Sequence, residues 1–273
     1  MTCISISYEA LTQVVDGTAA YGIVYRDTVR LGGYEVRNVP VESAQMITSQ
    51  FEAATNMSGI LGLAKSLPTS VEPATQSFMT LLRPLLDEHV FSVDLRKNAT
   101  GRFDFGFINT AAAVDDMTWL DSDPNSRHWD VELDLTSWEG NGRTWWYYKF
   151  MATIDTGTTL MFLPDGLASM YWFDVPGMRS QPGLGNAYTF PCSGAKDLPD
   201  LMFKLPGTEH VITIPGPYLN YGPTESDPTF CWGGMQSSAG MEVTVIGDIM
   251  LKALVLGFDL ERQRIGFANK KLD

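Results

Sequence analysis

A chain of 273 residues is long enough to bury a substantial core, as one large domain or as two lobes. Apolar residues at 44%, aromatics at 11% and charged residues at 19% describe an ordinary globular chain and exclude a disordered one. The net charge of −13 argues against nucleic acid as a partner, because phosphates would be repelled, and no apolar run approaches the roughly 18 to 20 residues that cross a bilayer, so no membrane partner is expected. A negative surface suits an acid-tolerant protein and equally serves plain solubility, while 19 Lys and Arg residues lean toward a near-neutral workplace.

In chain order, Met1 to Tyr8 carry neither a basic n-region nor an apolar h-region and are not read as a signal peptide. A cytoplasmic protein is expected if Met1 is the true start, and a secreted one if a segment with a signal peptide precedes it. Gly22 to Leu31 alternates with a period close to two before Gly32-Gly33, the pattern of a strand and its turn. Ala74 to Leu86, with Phe78, Leu81, Leu82 and Leu85, fits one amphipathic helix. Val90 to Leu95 and Arg102 to Ile108 read as strands. Asn109-Thr110-Ala111-Ala112 then marks a boundary, dividing the chain into 1–108 and 109–273.

Further strands are expected over Trp129 to Leu135, Lys149 to Ile154, Leu201 to Leu205, His210 to Ile214, Glu242 to Ile246, Leu254 to Phe258 and Arg264 to Ala268. Pro164 to Phe173 reads as a second helix, its proline at the start where the missing N–H does no harm. Many short strands and few helices predict a mainly β protein of sandwich or barrel type. Ser58-Gly59-Ile60-Leu61-Gly62-Leu63 and Val245-Ile246-Gly247-Asp248-Ile249 echo one another, which fits two similar halves.

Asn56-Met57-Ser58 and Asn98-Ala99-Thr100 both match the N-glycosylation pattern, weak support for secretion. Three cysteines cannot all pair within one chain; Cys192 and Cys231 could meet, leaving Cys3 over. His89, His128 and His210 lack the mutual spacing of a metal site and no Cys-x-x-Cys is present, so neither metal nor cofactor is expected.

The strongest chemical signal is Ala152-Thr153-Ile154-Asp155-Thr156-Gly157-Thr158-Thr159-Leu160-Met161-Phe162-Leu163-Pro164. An apolar strand sets a carboxylate rigidly at its end, glycine admits neighbouring backbone, and Thr hydroxyls can donate to the carboxylate and orient it. Downstream stand Tyr188-Thr189-Phe190-Pro191-Cys192, Cys231-Trp232-Gly233-Gly234-Met235, Ile246-Gly247-Asp248-Ile249 and Ile265-Gly266-Phe267-Ala268. In this order and spacing the chain resembles the fungal pepsin-like aspartic proteases over nearly its whole length. The resemblance implies the bilobal double-ψ β-barrel fold, with 109–273 as the complete carboxy-terminal lobe. It also implies a catalytic Asp155 supported by Thr156, Gly157, Thr158 and Thr159, a structural rather than chemical Asp248, and a disulfide between Cys192 and Cys231.

The resemblance begins at the family's flap, with 1–108 as an incomplete amino-terminal lobe. Asp16-Gly17 matches the flap's second strand, yet Val14 stands where the family's flap tyrosine is expected, and Tyr8 is the alternative. Asp155-Thr156-Gly157 is the one Asp-Thr-Gly in the sequence, whereas peptide hydrolysis in this family uses two carboxylates sharing a proton. The expectation is therefore a cleft reused for a hydrophobic small molecule, with Asp155 as general acid or base and Trp129, Trp145, Trp146 and Ile246 as its apolar wall. A cyclase or isomerase of fungal secondary metabolism would fit. An acid endopeptidase acting on peptides, its first segment absent from this sequence, and a catalytically inactive binding module are the alternatives. Apolar faces left by the incomplete lobe predict a homodimer or a covering partner chain.

Overall fold

Alternating side chains and a Gly-Gly pair build the first hairpin. In this computed structural model, which describes residues 4–13, 19–53, 57–65, 75–138, 148–181 and 187–272, β2 (Ala19–Leu31) turns through Gly32 and Gly33 into β3 (Tyr34–Ile47). Gly32 has φ +56°, the left-handed backbone that a tight hairpin turn requires and glycine enters without strain. β1 (Ile4–Gln13) pairs with the other side of β2, completing an antiparallel three-stranded sheet in the order β1-β2-β3. β3 is an edge strand, which is why Pro40, lacking a backbone donor, can sit within it.

The amphipathic pattern expected to give one helix over Ala74 to Leu86 yields less. After the short α1 (Ser49–Ala53), α2 covers only Phe78–Leu82. Ser77 caps it by accepting the Thr80 N–H at 3.2 Å. Pro84 ends it: a proline there offers no N–H and clashes with the carbonyl four residues back, so Arg83–Leu85 tighten into a 3-10 turn. Phe78, Met79 and Leu82 are buried, whereas Leu85, assigned to the apolar face, is exposed.

The chain divides into two units, Met1–His89 with Asn125–His128, and Val90–Pro124 with Trp129–Asp273. The first holds the three-stranded sheet and both short helices. The second contains a five-stranded sheet built from β4 (Val90–Asp94), β5 (Arg102–Phe105), β6 (Thr118–Asp121), β18 (Leu254–Asp259) and β19 (Arg264–Asn269), ordered β5-β4-β18-β19-β6. All six residues of β18 are buried. Phe258 stacks on Phe91 at 4.4 Å between ring centroids, and Trp129 meets Phe258 edge-on at 5.1 Å.

The second unit also contains a seven-stranded sheet. Its strands are β7 (Asp130–Trp138), β8 (Tyr148–Ile154), β9 (Met161–Leu163), β12 (Leu201–Lys204), β13 (Val211–Ile214), β16 (Met235–Ser237) and β17 (Val245–Ile246). They run in the order β13-β12-β7-β8-β17-β9-β16. Beside it, β10 (Arg179–Gln181), β11 (Ala187–Pro191), β14 (Asn220–Pro223) and β15 (Phe230–Gly233) form a four-stranded sheet ordered β10-β11-β15-β14. α3 (Asp165–Phe173) follows Pro164, which stands at the cap, and packs on β9 and β16. Its Trp172 is fully buried and donates its indole N–H to Met235 O at 2.8 Å.

Two cross-links tie the four-stranded sheet down. Cys192 and Cys231 form a disulfide, their Cα atoms 5.0 Å apart. The buried Gln236 stands in for a strand: its Oε1 accepts the Tyr188 N–H at 2.7 Å, while its Nε2 donates to Tyr188 O at 3.0 Å and Gly233 O at 2.7 Å. Cys3 lies outside the described residues.

Candidate active site

Asp155 sits immediately beyond the end of β8, in the loop that returns as β9. Between these two strands lies β17, from much later in the chain. It runs parallel to β8, with Val245 opposite Thr153 and Ile246 opposite Ile154, and antiparallel to β9, with Ile246 opposite Met161. Apolar residues fill this inner layer because every neighbour is a strand: Ile154, Met161 and Leu163 are buried with Val245 and Ile246. The loop that leaves β8 is therefore clamped by backbone on both flanks. Asp155 N donates to Ile246 O at 3.0 Å, and Ile154 N to Trp129 O at 2.9 Å.

Each oxygen of the half-buried Asp155 has a donor. Oδ1 accepts the Gly157 N–H at 2.8 Å, and Oδ2 accepts the Thr158 hydroxyl at 2.6 Å. A carboxylate has about four lone-pair sites, so capacity is left for a proton or water. The loop's far side is held by the start of α4 (Asp248–Leu251): Asp248 N donates to Thr158 O at 2.8 Å and Ile249 N to Thr159 O at 3.1 Å. Gly247 permits this approach. A Cβ there would lie 2.2 Å from both Thr158 O and Leu160 O, which no side chain can satisfy.

Of the residues expected to support the acid, Gly157 and Thr158 touch the carboxylate. Thr159 contributes its carbonyl to α4, and Thr156 is half-buried in the same turn. Ile246, expected to line a wall, has a fully buried side chain, and its carbonyl is the atom that reaches Asp155. Trp129, expected on the same wall, is 4% exposed and packs among Phe91 and Phe258 in the core. Trp145 and Trp146 lie outside the described residues, as do the flap candidates Val14, Asp16 and Gly17. Tyr8 lies on β1, within the stretch where pairing with β2 changes register between Ser5 and Glu9.

Asp248 has a second role that the motif alone does not reveal. Its Oδ2 is 3.3 Å from Lys252 Nζ, while Oδ1 is buried without a hydrogen-bond partner among the described residues. Burial raises the Asp248 pKa above the ordinary carboxylate value, the negative charge of Asp155 adds to that, and Lys252 opposes it. The signal lay in the sequence: an Asp directly after an apolar-apolar-Gly stretch that must bury itself. Among the described residues no group of three or more His, Cys, Asp or Glu side chains could hold a metal ion. His210 instead bridges Thr118 at 2.7 Å and Asp115 at 3.0 Å.

Together these contacts present one carboxylate from an Asp-Thr-Gly loop, braced by a hydroxyl and a backbone N–H and clamped by an inserted apolar strand. The chain belongs to the eukaryotic aspartyl protease family, whose model matches residues 4–270, and its mainly β architecture is that of the pepsin-like bilobal fold. It is similar to endothiapepsin from Cryphonectria parasitica, 37% identical over 257 residues, covering 93% of this chain and 60% of that protein. Penicillopepsin-1 from Penicillium janthinellum is 35% identical over 257 residues, covering 93% and 76%. Aspergillopepsin-1 from Aspergillus clavatus is 37% identical over 254 residues, covering 93% and 63%. The chain thus spans about 60% of the length of the first of these relatives. No helix among the described residues is long and apolar enough to cross a membrane.

Proposed function

We propose that this chain carries one of the two catalytic loops of an acid aspartic endopeptidase, Asp155 serving as one member of a carboxylate pair. The observation that carries the reading is the bracing of Asp155: both oxygens are oriented by donors from its own loop, and that loop is held by β17 and α4. In such a pair one carboxylate is ionised and takes a proton from water. The other is protonated and polarises the peptide carbonyl, because two like charges at close range cannot both ionise.

The partner carboxylate is expected from a second strand-loop-strand of the same type. Support for this comes from the internal echo. Val245 and Ile246 are 3% and 0% exposed because β8 and β9 enclose them, whereas their counterparts Ile60 and Leu61 are 67% and 45% exposed. An apolar pair of this kind suits a matching hairpin that bears the other Asp-Thr-Gly. Peptides are then the substrate class, as the pepsin names of the relatives suggest. The cyclase or isomerase reading, the inactive module and the homodimer draw no support from this geometry or from those names.

The protein made from its own transcript should digest denatured haemoglobin at acid pH, with pepstatin stopping the reaction and Asp155→Asn lowering the rate by about 100-fold or more. Digestion that survives Asp155→Asn, or a wild-type product that cleaves nothing, would overturn the proposal.

A further inference from the structure

We propose that Asn98 is a site of N-linked glycosylation. The triplet Asn98-Ala99-Thr100 has the required hydroxyl two residues on and no proline between. Such triplets are often buried or locked in strands; here the fold presents this one. It lies in the connection between β4 and β5, where Lys97 and Asn98 form the turn and Asn98, Ala99 and Thr100 are all exposed. Asn98 has φ +57°, a left-handed turn position that Asn tolerates better than most residues. Its carboxamide makes no hydrogen bond among the described residues, so the nitrogen is available without breaking a native contact.

The turn is anchored on either side of that asparagine. Lys97 Nζ donates to Pro217 O at 2.7 Å and sits 4.8 Å from the centre of the Tyr218 ring. Gly101 packs so closely on β4 that a Cβ would stand 2.7 Å from Asp94 O. Asn98 is thus held outward by a fixed base. An independent feature, the Cys192–Cys231 disulfide, belongs to the oxidising compartments in which glycosyl transfer takes place.

The co-reactant is a lipid pyrophosphate-linked oligosaccharide. The Asn98 Nδ2 attacks its anomeric carbon and a C–N bond forms. The C–O bond to pyrophosphate breaks, the lipid pyrophosphate leaves with the electron pair, and the amide nitrogen releases a proton. Nothing in this step depends on how Asp155 functions. The second triplet, Asn56-Met57-Ser58, whose asparagine lies outside the described residues, serves as the internal comparison.

The test is translation of the full chain behind a cleavable leader in the presence of glycosylation-competent microsomes. Lumenal protein is then treated with a peptide-amidase that releases N-glycans and converts the modified asparagine to aspartate. The wild-type peptide spanning Lys97 to Arg102 should be recovered with the mass gain of that conversion at Asn98. The corresponding glycan should be absent in Asn98→Gln and in Thr100→Ala, kept in Thr100→Ser, and unaffected by Asn56→Gln. Recovery of unmodified Asn98 from wild-type protein that has entered the lumen, or persistence of the modification in Thr100→Ala, would overturn the assignment.

Discussion

Thr158 holds Asp155 through its hydroxyl and α4 through its carbonyl, so its two polar groups couple the acid to the element behind it. Thr158→Val keeps the shape and the carbonyl but removes the donor. A hydrogen bond to a charged group contributes about 1.5 to 3 kcal/mol, so kcat/KM should fall roughly 10- to 100-fold, with Thr158→Ser retaining most of it. Equal rates for Val and Ser would show that the hydroxyl does not orient the acid.

Asp248 makes a prediction about pH. Because burial raises its pKa in the folded state, the native protein holds that proton more tightly than the unfolded chain does. The sign follows: this group contributes stability at low pH, and that contribution is lost as pH rises from the ordinary carboxylate value of 3.8 through the raised folded value. Asp248→Asn removes the dependence. Urea midpoints for wild type and variant should therefore lie closest below the ordinary value of 3.8 and shift in favour of the variant as the pH rises above it. Parallel curves across that window would refute the attribution.

At the scale of elements, the inserted strand demands Gly247. Gly247→Ala forces backbone away from Thr158 O and Leu160 O, and overpacking of this kind costs about 1 to 3 kcal/mol or more. Denaturant unfolding should show that loss together with reduced turnover, since the displaced carbonyl of Thr158 belongs to the residue that donates to Asp155. A variant as stable and active as the parent would contradict the clamp.

The same elements show what was legible beforehand. The strand ending in Asp155 could be read because its chemistry is local: an apolar run, an acid, a glycine and hydroxyls within a few residues. The β2–β3 turn was legible for the same reason, in Gly32-Gly33. The order in which distant strands lie side by side was not. The insertion of Val245–Ile246 between β8 and β9 leaves no mark on either hairpin strand. The strand span of β3 is irregular because its register with β2 shifts, which blurs a two-residue period. Trp129 illustrates a further limit. An aromatic residue beside the strand that leads to Asp155 has the same spelling whether it lines a groove or fills the core, and only the rings of Phe91 and Phe258 decide it.

For the whole molecule, the disulfide closes a loop between residues 39 apart in the second unit. In the chain-entropy account that constraint contributes about 4 kcal/mol, and replacing both Cys192 and Cys231 with Ala should lower the melting temperature by roughly 10 °C. A change within a degree or two would mean that the buried Gln236 bridge and sheet packing hold this region without it. The strongly negative surface, at −13, adds self-repulsion at neutral pH that fades as carboxylates take up protons toward the isoelectric point near 4.6.

The position of β17 has a consequence for how the protein is made. A ribosome delivers Asp155 with its Thr and Gly neighbours long before it delivers Val245 and Ile246, and until those two arrive β8 and β9 have an apolar gap between them. Distant pairings of this sort form slowly and leave sticky surface open meanwhile. The emerging polypeptide thus has its acid early but its rigid cradle late, and the braced geometry of Asp155 is withheld until Val245 and Ile246 have been synthesised.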